Sequence, residues 1–125
     1  MPQITIEYTS NISMNFDKSS FLSQINQLVH QEGKSNLDNC KSRLIRLDDY
    51  FVGNSSTNAF VHLTLQFLQG RDTLTKNNLG NALLTYLEET FLSENRDENI
   101  QITVHIVDID KESYFKYPKG TFTQL

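Results

Sequence analysis

Phe60-Val61-His62-Leu63-Thr64-Leu65-Gln66-Phe67-Leu68 is the stretch whose reading decides the fold of this chain. Val61, Leu63, Leu65 and Phe67 fall at every second position, so they share one face of an extended strand. Downstream the period changes. Over residues 73–92, Leu79, Ala82, Leu83, Tyr86, Leu87 and Phe91 recur at helical spacing, and Asp72 or Thr73 is placed to cap the helix start. A second alternating run follows, in which Ile100, Ile102, Val104 and Ile106 are separated by Gln101, Thr103 and His105. Strand, helix, strand is the order of a βαβ unit, with the two strands parallel.

The same order stands upstream. Ile4, Ile6 and Tyr8 alternate with Thr5 and Glu7 until Thr9-Ser10-Asn11 breaks the run. Phe21, Leu22, Ile25, Leu28 and Val29 predict a helix over residues 18–32, with Asp17 as N-cap and Gly33 as C-cap. Leu44, Ile45 and Leu47 mark a strand over residues 41–50. The halves are offset by about 57 residues, a length that suits a βαβ unit with its turns. The predicted architecture is α+β: a duplicated βαβ unit forming a four-stranded mixed sheet with two helices on one face. It forms a single domain over 1–125, with pseudo-repeats at about 2–52 and 58–110 and a tail at 111–125. The uncovered sheet face reads as too apolar for water, which points to association through the sheet. The tail carries Tyr114, Phe115, Tyr117 and Phe122, which pack either on a neighbouring subunit or over the chain's own helices.

Composition narrows the function. The chain has 125 residues, a net charge of -4 and no basic run, so neither a nucleic acid nor an anionic membrane is an expected partner. The lone Cys40 excludes an internal disulfide framework and suits a reducing cytoplasm. No secretory signal and no bilayer-length apolar run are visible. His30, His62 and His105 lack metal-ligand spacing, and no glycine pattern for a phosphate or dinucleotide occurs, so neither a metal nor a cofactor is expected.

Chemistry concentrates elsewhere. Met1 is followed by Pro2, at the head of an apolar strand. If Met1 is removed, Pro2 carries a free secondary amine; if it stays, the Pro2 nitrogen is a tertiary amide without basicity. A free amine against apolar residues and arginines is pushed towards its neutral, basic form. Arg71 lies in the turn Leu68-Gln69-Gly70-Arg71-Asp72, where a guanidinium can hold a carboxylate by paired hydrogen bonds. Taken alone, Arg43 and Arg71 read as solvent-facing charges.

The segments Met1-Pro2, Lys41-Ser42-Arg43-Leu44, Ala59-Phe60-Val61-His62-Leu63-Thr64-Leu65, Gly70-Arg71 and Phe115-Lys116 give the chain a more specific likeness. Together it resembles the 5-carboxymethyl-2-hydroxymuconate isomerase family of the tautomerase superfamily, over nearly the whole chain. The resemblance implies a homotrimer with the sheets inside, and a cofactor-free isomerase in which the N-terminal proline is acid and base. The implied reaction is keto-enol tautomerisation of a carboxylated 2-hydroxymuconate-type compound from aromatic breakdown. Pro2 would be catalytic, with Arg43, Arg71 and Lys41 binding the substrate. Lys41 stands where the family pattern has Arg, keeping the charge but not the bidentate fork. Two other readings stay open: a non-catalytic trimer that binds small acids, and another proline-based reaction on an unsaturated carboxylic acid.

Overall fold

The computed structural model describes residues 1–95 and 99–119. Strand β1 spans Gln3–Thr9, helix α1 Lys18–Gly33, β2 Lys41–Leu47, β3 Ala59–Leu68, α2 Thr73–Leu92 and β4 Ile100–Ile109. Single 3-10 turns occupy Leu37–Asn39 and Lys111–Ser113.

The sheet order is β2-β1-β3-β4. Within each half the strands are parallel, β1 with β2 and β3 with β4, whereas β1 and β3 run antiparallel at the centre. This is the duplicated βαβ arrangement expected from the periodicity. The alternating residues explain where the helices sit. Ile4, Ile6 and Tyr8 of β1 and Val61, Leu63, Leu65 and Phe67 of β3 form one cluster with Phe21, Ile25 and Val29 of α1 and Leu79, Leu83, Leu87 and Phe91 of α2. Burial of each of these larger side chains stabilises the fold by about 1.5–3 kcal/mol. Both helices therefore cover the same face.

Each helix begins on an aspartate. Asp17 accepts from the Ser20 amide at 3.0 Å, and Asp72 from the Thr75 amide at 2.8 Å. At the other end the structure corrects an expectation. Gly33 is the last helical residue, and the left-handed cap residue is Lys34, with φ 56°. Gly33 is small because of packing: a Cβ there would stand 2.9 Å from Leu79 Cδ2 and 3.6 Å from Phe67 Cε2. The end of α2 is closed by Asn95, which is buried. Its amide donates to the carbonyls of Phe91 at 2.9 Å and Ser13 at 3.0 Å, and its oxygen accepts from the Ser13 amide at 2.9 Å.

The second strand is shorter than the residues 41–50 expected. It stops at Leu47, where the chain bends and Asp48 turns back to pair with Arg46 at 3.4 Å. The uncovered face is also not the apolar surface expected. Its register sets Gln3, Thr5 and Glu7 of β1 against Gln66, Thr64 and His62 of β3, which pair in turn with Val107, His105 and Thr103 of β4. The apolar residues of β3 and β4 are spent on the helix-covered side, so threonine, glutamine and histidine are what remain. Ile45, Phe60 and Val107 are exceptions.

Beyond β4 the tail returns to the start of β1, where the Tyr114 hydroxyl accepts from Gln3 Nε2 at 3.3 Å. Phe115 and Tyr117 are 89% and 95% exposed, so they cover no helix of their own chain. Phe122 lies outside the described residues. Among the described residues no helix is long and apolar enough to cross a membrane.

Candidate active site

The corner where β1 begins beside β2 gathers the residues singled out by sequence. Pro2 is buried, and its carbonyl accepts from the Lys41 amide at 3.1 Å. A proline suits the first position of a strand, because no ladder donor is asked of it there. Met1 precedes it, only 3% exposed, and its amine donates to the Asn39 carbonyl at 3.3 Å. Lys41 Nζ donates to the same carbonyl at 3.0 Å.

This amine is held far from its ordinary state. Burial first, then the charges of Lys41 and Lys116, and least of all Arg71, lower its pKa from 8.0 to about 5, with Cys40 acting the other way more strongly than Arg71. Cys40 is itself buried, which pushes its thiol up. The corner is thus locally cationic in a chain of net charge -4.

Arg43 lies on the uncovered face, level with Thr5. Its Nη1 donates to Thr5 Oγ1 at 3.1 Å and its Nη2 to Gln3 Oε1. Gln3 therefore joins Arg43 on one side to Tyr114 on the other. Arg71 takes a different position. Gly70, at φ 127°, turns the chain out of β3 in a conformation closed to most side chains. The guanidinium that follows is 8% exposed and points at the end of α1. Nε donates to the Gly33 carbonyl at 2.8 Å, Nη1 to Leu68 at 2.8 Å, and Nη2 to Ser35 Oγ at 2.8 Å and the Lys34 carbonyl at 3.5 Å. The Phe67 ring lies beneath it at 4.1 Å. His30 Nδ1 faces the Ser35 carbonyl at 2.6 Å, so that nitrogen carries the proton and donates.

Pro2, Lys41 and Arg43 are thus brought to one corner by the β1–β2 register. Arg71 acts on that corner through its charge, while its donors hold the loop at Gly33-Lys34-Ser35. Sequence reasoning missed Gln3, Asn39, Tyr114 and Lys116. The signal available for Lys116 was its place in the family-like pair Phe115-Lys116. Among the described residues no group of three or more His, Cys, Asp or Glu could hold a metal ion.

Comparisons with known proteins identify the family and the fold. A family model described as 5-carboxymethyl-2-hydroxymuconate isomerase matches residues 2–119. A solved structure of a 5-carboxymethyl-2-hydroxymuconate isomerase from Deinococcus radiodurans R1 is 25% identical, with a TM-score of 0.82, covering 97% of this chain and 90% of that one. A Q0 fused 4-OT wild type symmetric trimer shares the fold at 16% identity and TM-score 0.77, covering 98% of this chain and 97% of that one. A 5-carboxymethyl-2-hydroxymuconate delta-isomerase shares it at 14% identity and TM-score 0.66, covering 98% of this chain and 90% of that one. No curated protein matches the chain.

Proposed function

The chain belongs to the 5-carboxymethyl-2-hydroxymuconate isomerase family of the tautomerase superfamily, and from that membership we propose that it ketonises a carboxylated 2-hydroxymuconate-type enol with Pro2 as acid and base. The observation that carries this reading is the amine at the β1–β2 corner, lowered to about 5 by burial and by Lys41, Lys116 and Arg71. Loss of Met1 moves the free amine to Pro2, whose carbonyl is already fixed on Lys41.

A neutral Pro2 nitrogen takes the proton from the 2-hydroxyl of the dienol. The electron pair moves along the conjugated chain, and the same proton is returned to a distant carbon. The product is the conjugated ketone, and Pro2 ends neutral. A base and acid in one group works best when its pKa lies near the operating pH, and the burial and cations that depress the Met1 amine would act in the same direction on a free Pro2 amine. Arg43 and Lys41 hold substrate carboxylates, and Arg43 faces the charge that grows on oxygen as the proton leaves. Arg71 serves this site chiefly by its charge. Turning its donors to a substrate would strand carbonyls at the end of α1. A homotrimer built through the uncovered sheet faces, and a cytoplasmic location with Cys40 reduced, go with this reading.

A second reading has its own observation: with Met1 in place, the same cations surround an amide at Pro2 and make a small-acid site without a proline base. Intact mass separates the two states, and ultraviolet absorbance follows enol loss. The processed chain should ketonise the enol, and Pro2→Ala should lose about a hundredfold or more in kcat. Full activity in Pro2→Ala, or in the chain that keeps Met1, would sink the proline mechanism.

A further inference from the structure

We propose that Lys116 holds a further substrate carboxylate, distinct from those on Arg43 and Lys41, and so makes the site selective for polyanionic over monoanionic enols. The inference rests on the isomerase reading above and adds a specificity residue to it.

Three observations carry it. The tail after the turn at Lys111–Ser113 is extended, with φ -115° and ψ 120° at Tyr114. In an extended segment successive side chains point to opposite sides. Burial follows that rule: Tyr114 and Lys116 are half-buried, while Phe115 and Tyr117 stand in solvent. Tyr114 and Lys116 thus face inward together. Tyr114 fixes the place, because its hydroxyl accepts from Gln3, the residue next to Pro2 and the partner of Arg43. Lys116, two residues on, comes within electrostatic reach of the amine at the same corner.

The second observation is what Lys116 lacks. Lys41 donates to Asn39, and Arg71 to the loop after α1. Among the described residues Lys116 makes no hydrogen bond or ion pair. A half-buried ammonium has lost water without gaining a partner, and a bound anion would supply one. The third is composition: the groups influencing the amine are Lys41, Lys116, Arg71 and the thiol of Cys40, with no carboxylate among them. A substrate with two or more carboxylates neutralises Arg43 at one end and Lys116 at the other.

The test compares Lys116→Met, which keeps most of the stem, with Lys116→Arg and the unaltered chain. Two enols are used: 5-carboxymethyl-2-hydroxymuconate, and an arylpyruvate enol with one carboxylate. Calorimetric binding of both runs in parallel with turnover. Lys116→Met should raise KM and Kd for the polyacid about tenfold to a hundredfold. It should leave KM and Kd for the monoacid nearly unchanged; any change in kcat is shared by both enols, because Lys116 also depresses the amine, and Lys116→Arg should restore the polyacid. Tyr114→Phe, which only loosens the strap, should shift the same constants in the same direction by less. Equal effects on KM and Kd for both acids, or none, would overturn the proposal. If the unaltered chain binds the polyacid but turns over neither enol, the isomerase reading falls, and the calorimetric comparison still decides Lys116. If it does not bind the polyacid at all, the proposal falls with it.

Discussion

Arg71 Nε donates to the carbonyl of Gly33 at 2.8 Å, a bond between residues 38 positions apart. It ties the turn out of β3 to the last turn of α1. Helix ends leave carbonyls without intrahelical donors, and their partial negative charge favours a cation. Arg71 answers both needs, and adds the Leu68 and Lys34 carbonyls and Ser35 Oγ.

Replacement of Arg71 should therefore show first in stability. Arg71→Ala leaves buried acceptors without donors and should cost about 3 kcal/mol or more, read as the urea midpoint at constant slope. Arg71→Lys should recover a minor part of that loss, because the fork is gone. A variant as stable as the parent would show that the bonds at Gly33 and Ser35 carry no weight.

Gly33→Ala should destabilise despite the better helix propensity of alanine. Propensity favours alanine by about 1 kcal/mol. Against it, the new Cβ meets Leu79 Cδ2 at 2.9 Å inside a packed core, and overpacking costs about 1–3 kcal/mol. A net loss of about 1 kcal/mol is expected in the urea midpoint. A net gain would mean that Leu79 moves aside freely.

Asn95 should behave as the closing residue of α2. Asn95→Ala removes its three bonds to Phe91 and Ser13 and should cost about 2 kcal/mol, with hydrogen exchange rising at the start of the loop after β1. Turnover at the far corner should be unchanged while the protein stays folded.

The amine at Met1 sets a pH dependence whose sign is fixed. Its folded pKa is about 5 against 8.0, so between those values the unfolded chain binds a proton that the folded chain does not. Stability from this group falls as pH drops from 8 towards 5, then levels off. Reductive methylation of the amine, followed against pH in the chain that keeps Met1, should show a midpoint near 5. A midpoint near 8 would mean that the corner is open to water. Loss of Met1 exposes Pro2 to the same burial and the same cations, so its amine should also titrate below the usual range of a proline amine.

Much of this fold was legible in the sequence, because alternation and helical spacing are local properties. Val61, Leu63, Leu65 and Phe67 declare a strand face without knowledge of what covers it. Asp17 and Asp72 declare helix starts because capping acts over three residues. Gly33 misled because its smallness answers Leu79, 46 positions away, and local rules assign such a glycine to a turn. The polar character of the uncovered face was hidden for a related reason. Phase within one strand is readable, but which phases of four strands share a face depends on register. At the site, Pro2 stood out by its place after Met1 at the head of an apolar strand, and Lys41 and Arg43 were found through resemblance. The partners of Arg71 could not be, since a buried arginine and a surface one look alike in sequence.

The antiparallel pairing of β1 with β3 has one more consequence. Gln3 lies opposite Gln66 and Tyr8 opposite Val61, so the two halves start at opposite ends of the central pair. Some six residues of strand, about 20 Å, separate the two starting corners. One holds an amine and its cations. The other is tied shut, with Thr9 accepting from the Phe60 amide and Asn11 donating to Thr57 and Asn58. Duplication has thus produced a one-ended molecule. On the proposed reading, proton transfer is confined to a single end of the sheet, while the mirror corner is closed by its own hydrogen bonds.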